Sequence, residues 1–411
     1  MALMNNKVEL LSPCGDFERF ELAIQYGADA VYLGGNAFTM RAAPKNFSPE
    51  ELVKATEMAH AAGKKVYLTC NVYAHSSAFE QLPDFLAQAR DAGVDAFIIA
   101  DLGVLYHANK IAPQVDIHIS TQAGITNFEA ARMYYDLGAK RIVPARELSL
   151  EEIVELRAKT DRALEIECFV HGAMCMSVSG RCLLSSFMVG RDANLGLCAQ
   201  PCRWQFDIMD VTREGIRYPV LEDQSGTYFM NSRDMCMIEH IPALIEAGID
   251  SFKIEGRAKS AYYTAVVTNA YRQAIDGYYA NPYAAYQPEA WILEEMEKVS
   301  HREYSTGFYF KHPDKDANVD YCGGYRNDWD VVAFVSESDG KVLTLSQRNK
   351  FAAGEALEIL QPGKKPLPFC ADVLYDENLQ PIESANHAMM PVKIKTECIF
   401  AHNSIVRKQR T

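Results

Sequence analysis

The sequence predicts an α/β fold: a (β/α)8 barrel of the TIM type with a long cysteine-rich insertion, followed by a small all-β domain. Three observations predict it. A short phrase recurs as "YGADAVYLGG" (26–35), "AGVDAFIIAD" (92–101), "LGAKRIVPAR" (137–146) and "AGIDSFKIEG" (247–256). Amphipathic helical stretches such as "SPEELVKATEMAHAAG" fill the intervals, and beyond about residue 280 the pattern changes to short strands and turns.

Each copy of the phrase places a Gly where a helix stops, then a short apolar strand, then polar or Gly residues; Gly suits the left-handed cap that ends a helix before a strand. "KVELLSP", "KKVYLTCN", "DIHISTQ" and "LEIECFVHG" supply the other four strands, so eight βα units fit in a length near the roughly 250 residues of such barrels. A doubly wound open sheet has no need of eight similar units. Strand seven falls near 164–170 and strand eight at 251–255, with about 80 residues between them. A connection that long is functional or disordered. The expected organisation is a barrel over 1–280 with an insertion at 171–245, a helical linker at 281–327 and a small β-barrel at 328–411. That last part rests on "DVVAFVSES", "KVLTLSQRN", "EALEILQPG", "FCADVLYDE" and "PVKIKTEC".

The chain has 411 residues, 48% hydrophobic and 23% charged, which is the composition of a folded globular protein. The N-terminus meets an acidic residue too early for a signal peptide, and no apolar run approaches the ~20 residues of a membrane span. A cytoplasmic protein with reduced or metal-bound cysteines is expected. The net charge of −13 argues against a general nucleic-acid coat but permits a local basic groove.

Cys168, Cys175, Cys182, Cys198 and Cys202 occupy 35 of the 411 residues, where random scatter of the eleven cysteines would put about one. Cys236 follows. Thiolates this dense in a reducing compartment point to metal or redox chemistry. The gaps of seven, sixteen and thirty-eight between Cys175, Cys182, Cys198 and Cys236 are wider than paired zinc knuckles. They suit an iron–sulfur cluster held from several loops, with zinc, catalytic or merely buried cysteine as alternatives. Cys202 competes with Cys198. Alternation along strand seven puts Cys168 on the helix-facing side as a core residue, and Cys14, Cys70, Cys322, Cys370 and Cys398 are expected mostly in cores.

The same alternation sends Glu165, Glu167 and His171 of strand seven, His118 and Ser120 of strand five, and Lys253 and Glu255 of strand eight into the barrel, with Arg257 just past the strand end. Barrel interiors are normally filled by Val, Ile and Leu, so polar residues near the strand C-termini mark a binding site. The plainer alternative is a satisfied polar core in which Glu165 or Glu255 pairs with Lys253. Arg41, Arg146, Arg181 and Arg257 follow strand ends and would gather an anionic substrate through bidentate contacts. Arg181, Arg191, Arg203 and Lys259 would supply a basic surface near the mouth, and Trp204 could stack a base.

The run "HGAMCMSVSGRCLLSSFMVGRDANLGLCAQPCRWQF", with "NSRDMCMIEHIPALIEAGIDSFKIEGR" behind it, resembles the collagenase-like peptidase family U32. The likeness is greatest to the branch acting in tRNA wobble-uridine hydroxylation and covers about residues 8 to 310. The resemblance implies a (β/α)8-type domain and a four-iron, four-sulfur cluster on Cys175, Cys182, Cys198 and Cys236. It further implies formation of 5-hydroxyuridine at position 34 of tRNA with prephenate as oxygen source. The short C-terminal domain departs from longer members, which leaves the choice of tRNA open. Arg257, Lys253, Glu255 and His171 are the expected catalytic residues, with tRNA, a small anionic substrate and an electron donor or protein partner as expected partners. A peptidase needs an activated nucleophile or a metal-bound water. No HExxH and no GxSxG occur, leaving Cys14 or Cys175 with His171 as the nucleophile pair to consider. A non-catalytic RNA- or partner-binding role is the other alternative.

Overall fold

The computed structural model describes residues 7–40, 46–174, 184–191, 197–199, 201, 208–209, 217–218, 221–223, 226–228, 233–310 and 325–410. Cys175, Cys182, Cys202, Cys322, Arg41, Arg181, Arg203 and Trp204 lie outside the described residues. The barrel strands are short and buried on both faces, as parallel staves wrapped by helices must be. They are β1 (Glu9–Pro13), β2 (Ala30–Gly34), β3 (Lys65–Cys70), β4 (Ala96–Ile99), β5 (Asp116–Ile119), β6 (Arg141–Ile142) and β7 (Glu165–Ala173). After β8 (Asp234–Cys236), which lies outside the ring, β9 (Ser251–Ile254) is the eighth stave. All pair in parallel and in sequence, and β9 closes the ring by pairing with both β7 and β1.

The helices are α1 (Phe17–Gln25), α2 (Pro49–Ala61), α3 (Leu82–Asp91), α4 (Leu102–Ile111), α5 (Phe128–Asp136), α6 (Leu150–Ala158), the short α7 (Leu184–Val189) in the insertion, α8 (Ile241–Glu246), α9 (Ala261–Ala280) and α10 (Ala290–Lys298). Asp16, Ser48, Asp101, Asn127, Ser149 and Ser260 cap α1, α2, α4, α5, α6 and α9, each side chain accepting from a first-turn N–H. The glycines of the recurring phrase do what the sequence implied: Gly27, Gly93, Gly138 and Gly248 have φ of 105°, 82°, 95° and 79°. Among the described residues no helix is long and apolar enough to cross a membrane.

Two irregularities at β7 shape the site. The register of β9 against β7 pairs Lys253 with Phe169 but Ile254 with His171, so Val170 is the extra residue of a β-bulge. Beyond the bulge, β7 runs on and pairs antiparallel with β8, Cys236 opposite His171 and Asp234 opposite Ala173. β10 (Tyr304–Ser305) adds to β8 in parallel, so the segment after α10 extends the sheet.

The C-terminal domain is built on an eight-stranded antiparallel sheet of β11 (Trp329–Ser338), β12 (Val342–Gln347), β13 (Ala356–Leu360), β14 (Leu367–Cys370), β15 (Leu374–Tyr375), β16 (Pro381–Ile382), β17 (Pro391–Lys395) and β18 (Ile405–Gln409), beside which Phe351–Ala352 and Ser384–Ala385 form a separate antiparallel pair. The strand order β14-β13-β18-β11-β12-β17-β15-β16 is open at both ends, so hydrogen bonds do not close it into the barrel suggested by the sequence. Cys370 and Cys398 are exposed, on an edge strand and in an irregular segment, not in the core expected for them; Cys14, Cys70 and Cys168 are buried.

This sheet is welded to the barrel. Arg407 of β18 is fully buried and donates to Glu295 of α10 (2.7 Å), Glu358 of β13 (2.8 Å) and the Tyr262 hydroxyl (3.0 Å). Lys298 reaches Glu358 at 2.9 Å and Glu295 at 3.1 Å. The Tyr26 hydroxyl at the end of α1 donates toward the carbonyls of Leu360 and Asn403, both 3.1 Å away. Removing one partner of a buried ion pair costs about 3–5 kcal/mol because the other is left buried and charged. Arg407→Leu should lower the free energy of unfolding by about that amount, read by urea denaturation, toward the lower end because Lys298 remains beside Glu295.

Candidate active site at the barrel mouth

Below the mouth, the barrel interior carries charge where branched aliphatics are usual. Arg141 donates to Glu9 (2.6 Å), Glu165 (2.7 Å) and Glu167 (3.0 Å), and the other Glu167 oxygen accepts from Lys253 at 2.6 Å. Tyr67 donates to Glu9 at 2.6 Å, and the buried His118 ring packs edge-on against Tyr67. Burial alone would raise the Glu9 carboxyl, but the adjacent Arg141 holds it below its usual range. Burial, aided by Arg141 and Lys253, pushes His118 well below the histidine range and keeps it neutral.

The alternation rule therefore placed Lys253, His118, Glu165 and Glu167 correctly. The partner of Lys253 is Glu167, not Glu165 or Glu255, because Arg141 takes Glu165. Glu9, Tyr67 and Arg141 were missed although "KVELLSP", "KKVYLTCN" and "KRIV" carry the same alternation.

Above this ladder, at the C-terminal ends of the strands, lies a cavity. Lys253, Phe169, Arg146, Glu255 and Arg257 line it, with Tyr32, Thr69, Asn71, Ser120 and Gln122. Arg257 is 4% exposed, and its guanidinium donates to Thr39 Oγ1 (2.6 Å), Thr69 Oγ1 (3.2 Å) and Asn46 Oδ1 (2.7 Å). Gly34 leaves room for it: a Cβ there would lie 2.3 Å from Arg257 Nη2. Arg146 lies over the Phe169 ring and donates to the Ala173 carbonyl at 3.0 Å. Three cations thus converge on one small space. The Thr39, Asn46 and Thr69 partners come from distant loops and strands, and no local pattern announces them.

His171 is not part of this cavity. Directly paired residues face the same side of a sheet, and the bulge pairs His171 with Ile254, which faces the helices. The ring sits among Tyr263, Tyr271 and Tyr304, at centroid distances of 5.9, 5.5 and 5.3 Å, and burial lowers it to about 3. Lys259 also turns away from the cavity, donating to the Ser300 carbonyl and lying over the Tyr263 and Tyr325 rings. Of the basic residues expected beside it, Arg191 is exposed.

Of the expected cluster ligands, Cys198 is exposed and Cys236 partly buried at the end of β8. Among the described residues no three His, Cys, Asp or Glu side chains group closely enough to hold a metal ion. Burial pushes the Cys236 thiol up to about 12, with the Ile238 N–H directed at the sulfur and the Tyr271 hydroxyl oxygen 4.0 Å from it. A free thiol there is a poor nucleophile, whereas a metal would replace its proton and the N–H would support the thiolate. Cys236 fits a metal-bound ligand. Burial also raises Cys14, which leaves it inert as a nucleophile.

The family model for peptidase family U32 matches residues 15–318, and that for the family's C-terminal domain matches residues 327–407. The chain belongs to peptidase family U32. The U32 relatives include tRNA hydroxylation protein P1 of Bacillus subtilis, 36% identical over 99% of this chain and 96% of that protein. Tagged as an uncharacterized protease, a Methanocaldococcus jannaschii protein is 44% identical over 76% of each chain. tRNA hydroxylation protein P of Escherichia coli is 34% identical over 87% of this chain and 86% of its own length.

The buried histidines give this U32 barrel a pH signature. A histidine whose folded pKa is depressed contributes its full stability above its unfolded pKa, about 6.5, and loses it as the pH falls below that value. Stability should decline from about pH 6.5 downward, His118 and His171 each contributing up to about 1.4 kcal/mol per pH unit. His118→Phe, which keeps a ring against Tyr67, should remove one share of that slope in denaturation curves between about pH 6.5 and 5.

Proposed function

We propose that this chain is an RNA-modifying enzyme that installs the 5-hydroxyl of wobble uridine 34 in tRNA. Prephenate rather than dioxygen would be the oxygen source, with a four-iron, four-sulfur cluster on Cys175, Cys182, Cys198 and Cys236. The observation that carries the proposal is the convergence of Arg146, Lys253 and Arg257 on one cavity at the rim where such barrels keep their sites. Membership of a family with relatives named for tRNA hydroxylation supports it.

Prephenate carries two carboxylates, and guanidinium groups suit bidentate binding of each. Arg257, steadied by Thr39, Thr69 and Asn46, would take one, and Arg146 the other. Lys253, its Nζ held by Glu167, would add charge from the cavity floor. When bound, the cluster would supply redox capacity or anchor the insertion. RNA phosphates would meet Arg181, Arg191 and Arg203, and work on tRNA would place the protein in the cytoplasm. Of the pairs the proteolytic alternative would need, Cys14 is a buried member of the hydrophobic core and His171 is enclosed by tyrosine rings, while Cys175 lies outside the described residues.

Mass spectrometry of nucleosides from a deletion strain is the direct test: loss of 5-hydroxyuridine and its derivatives is expected. Unchanged tRNA together with a lost peptide-cleaving activity would replace hydroxylation with proteolysis. Truncating one partner of a buried charged hydrogen bond costs about 2–5 kcal/mol, so Arg257→Ala should lose roughly 30-fold or more in product formation. Gly34→Ala, which drives a methyl group into Arg257 Nη2, should fall in the same direction. Both variants should retain wild-type iron content, measured on the same samples.

A further inference from the structure

We infer that Tyr271 is a positioning residue for Cys236, and that it holds this thiol ready for a metal before any metal arrives. The inference rests on the reading of Cys236 as a metal ligand. Tyr271 stands on α9, behind the barrel, with its ring fully buried. Its hydroxyl donates to the Val170 carbonyl at 2.7 Å and accepts from the Met237 N–H at 3.0 Å. Val170 is the bulge residue of β7, and Met237 directly follows Cys236. One phenol oxygen therefore staples the two chain segments flanking the thiol.

The proton count on that oxygen decides what it can do for the sulfur. A phenol has one hydrogen and accepts through its lone pairs. The Val170 carbonyl can only accept, so it takes the Tyr271 hydrogen, and the lone pairs are left to the Met237 N–H at 3.0 Å and to His171 Nδ1 at 3.5 Å. With its hydrogen spent, the oxygen has none for the Cys236 sulfur 4.0 Å away, which could approach it only as a donor and only while it is a thiol. Losing its proton to a metal removes that contact but leaves both backbone bonds in place. The staple is thus independent of metal, while the sulfur is free to turn toward one.

From the other side, the strand carrying Cys236 is pinned by Asp234, which accepts from Arg302 Nε at 2.9 Å and Nη2 at 2.7 Å. The Ile238 N–H faces the sulfur from the chain's next turn. Preorganisation of this kind acts on affinity: losing an outer partner of a metal ligand typically costs 10–100-fold.

The test is an anaerobic titration of the metal-free full-length chain with cobalt(II), following the thiolate-to-cobalt absorption. Wild type should bind with thiolate bands. Tyr271→Phe keeps the ring but loses both backbone bonds, and should bind roughly 10–100-fold more weakly with altered bands. Tyr263→Phe is the matched control. Tyr263 is equally buried on the same helix, but its hydroxyl donates to the Glu255 carbonyl at 2.9 Å, so cobalt affinity should stay at the wild-type level. Equal losses in the two tyrosine variants would reduce the effect to general stability and overturn the inference. So would wild-type binding by Tyr271→Phe alongside weakened binding by Cys236→Ser. Undiminished bands in Cys236→Ser, or none in wild type, would instead sink the ligand reading itself and the inference with it.

Discussion

The barrel depends on the matching of charge inside it. Glu9, Glu165 and Glu167 surround Arg141, and Glu167 is shared with Lys253. An ionised side chain away from water is tolerable only when paired and hydrogen-bonded, and breaking one pair strands the rest. The ladder therefore locks five side chains from four strands into one arrangement. It also sets the chemistry of the mouth. With Glu167 bridging Arg141 and Lys253, the Lys253 Nζ is fixed in place at the cavity floor. Arg257 adds a second cation through a different device, a set of neutral oxygens from the β2 and β3 sides and a glycine that lets it approach.

The bulge at Val170 divides the C-terminal half of β7 into two environments. Before it, Phe169 faces inward, between Arg146 and Lys253. After it, His171 faces the helices and enters an aromatic cage. The same strand then pairs with β8, which ends in Cys236, so the cation-lined cavity and the thiol lie on opposite sides of one strand. The barrel wall thus stands between the cavity and the Cys236 thiol. Tyr263 spans that wall, with its ring beside His171 and its hydroxyl on the Glu255 carbonyl.

The C-terminal sheet is part of the same body. Buried Arg407, its two carboxylates and the Tyr262 hydroxyl tie β18 and β13 to α9 and α10. Phe334, Leu360 and Ile405 share the barrel's own hydrophobic cluster. Anything bound to this sheet would therefore be held at a set distance from the mouth, not on a tethered module.

The sequence by itself determined the barrel, because each unit repeats a local rule: a glycine that ends a helix in the left-handed region, then a strand whose alternate residues face in. That rule is strictly local, and it correctly carried Lys253, His118 and Glu167 into the interior. Only the tertiary structure decided who meets whom there. Arg141 sits on a strand of two residues and yet binds carboxylates from β1 and β7, distant in sequence. His171 shows the limit most sharply. The alternation that sent it inward holds only while the register holds, and one extra residue at Val170 turns every later side chain to the opposite face. A bulge belongs to the pairing of two strands, here β7 with β9, and no residue of "CFVHG" records that pairing by itself.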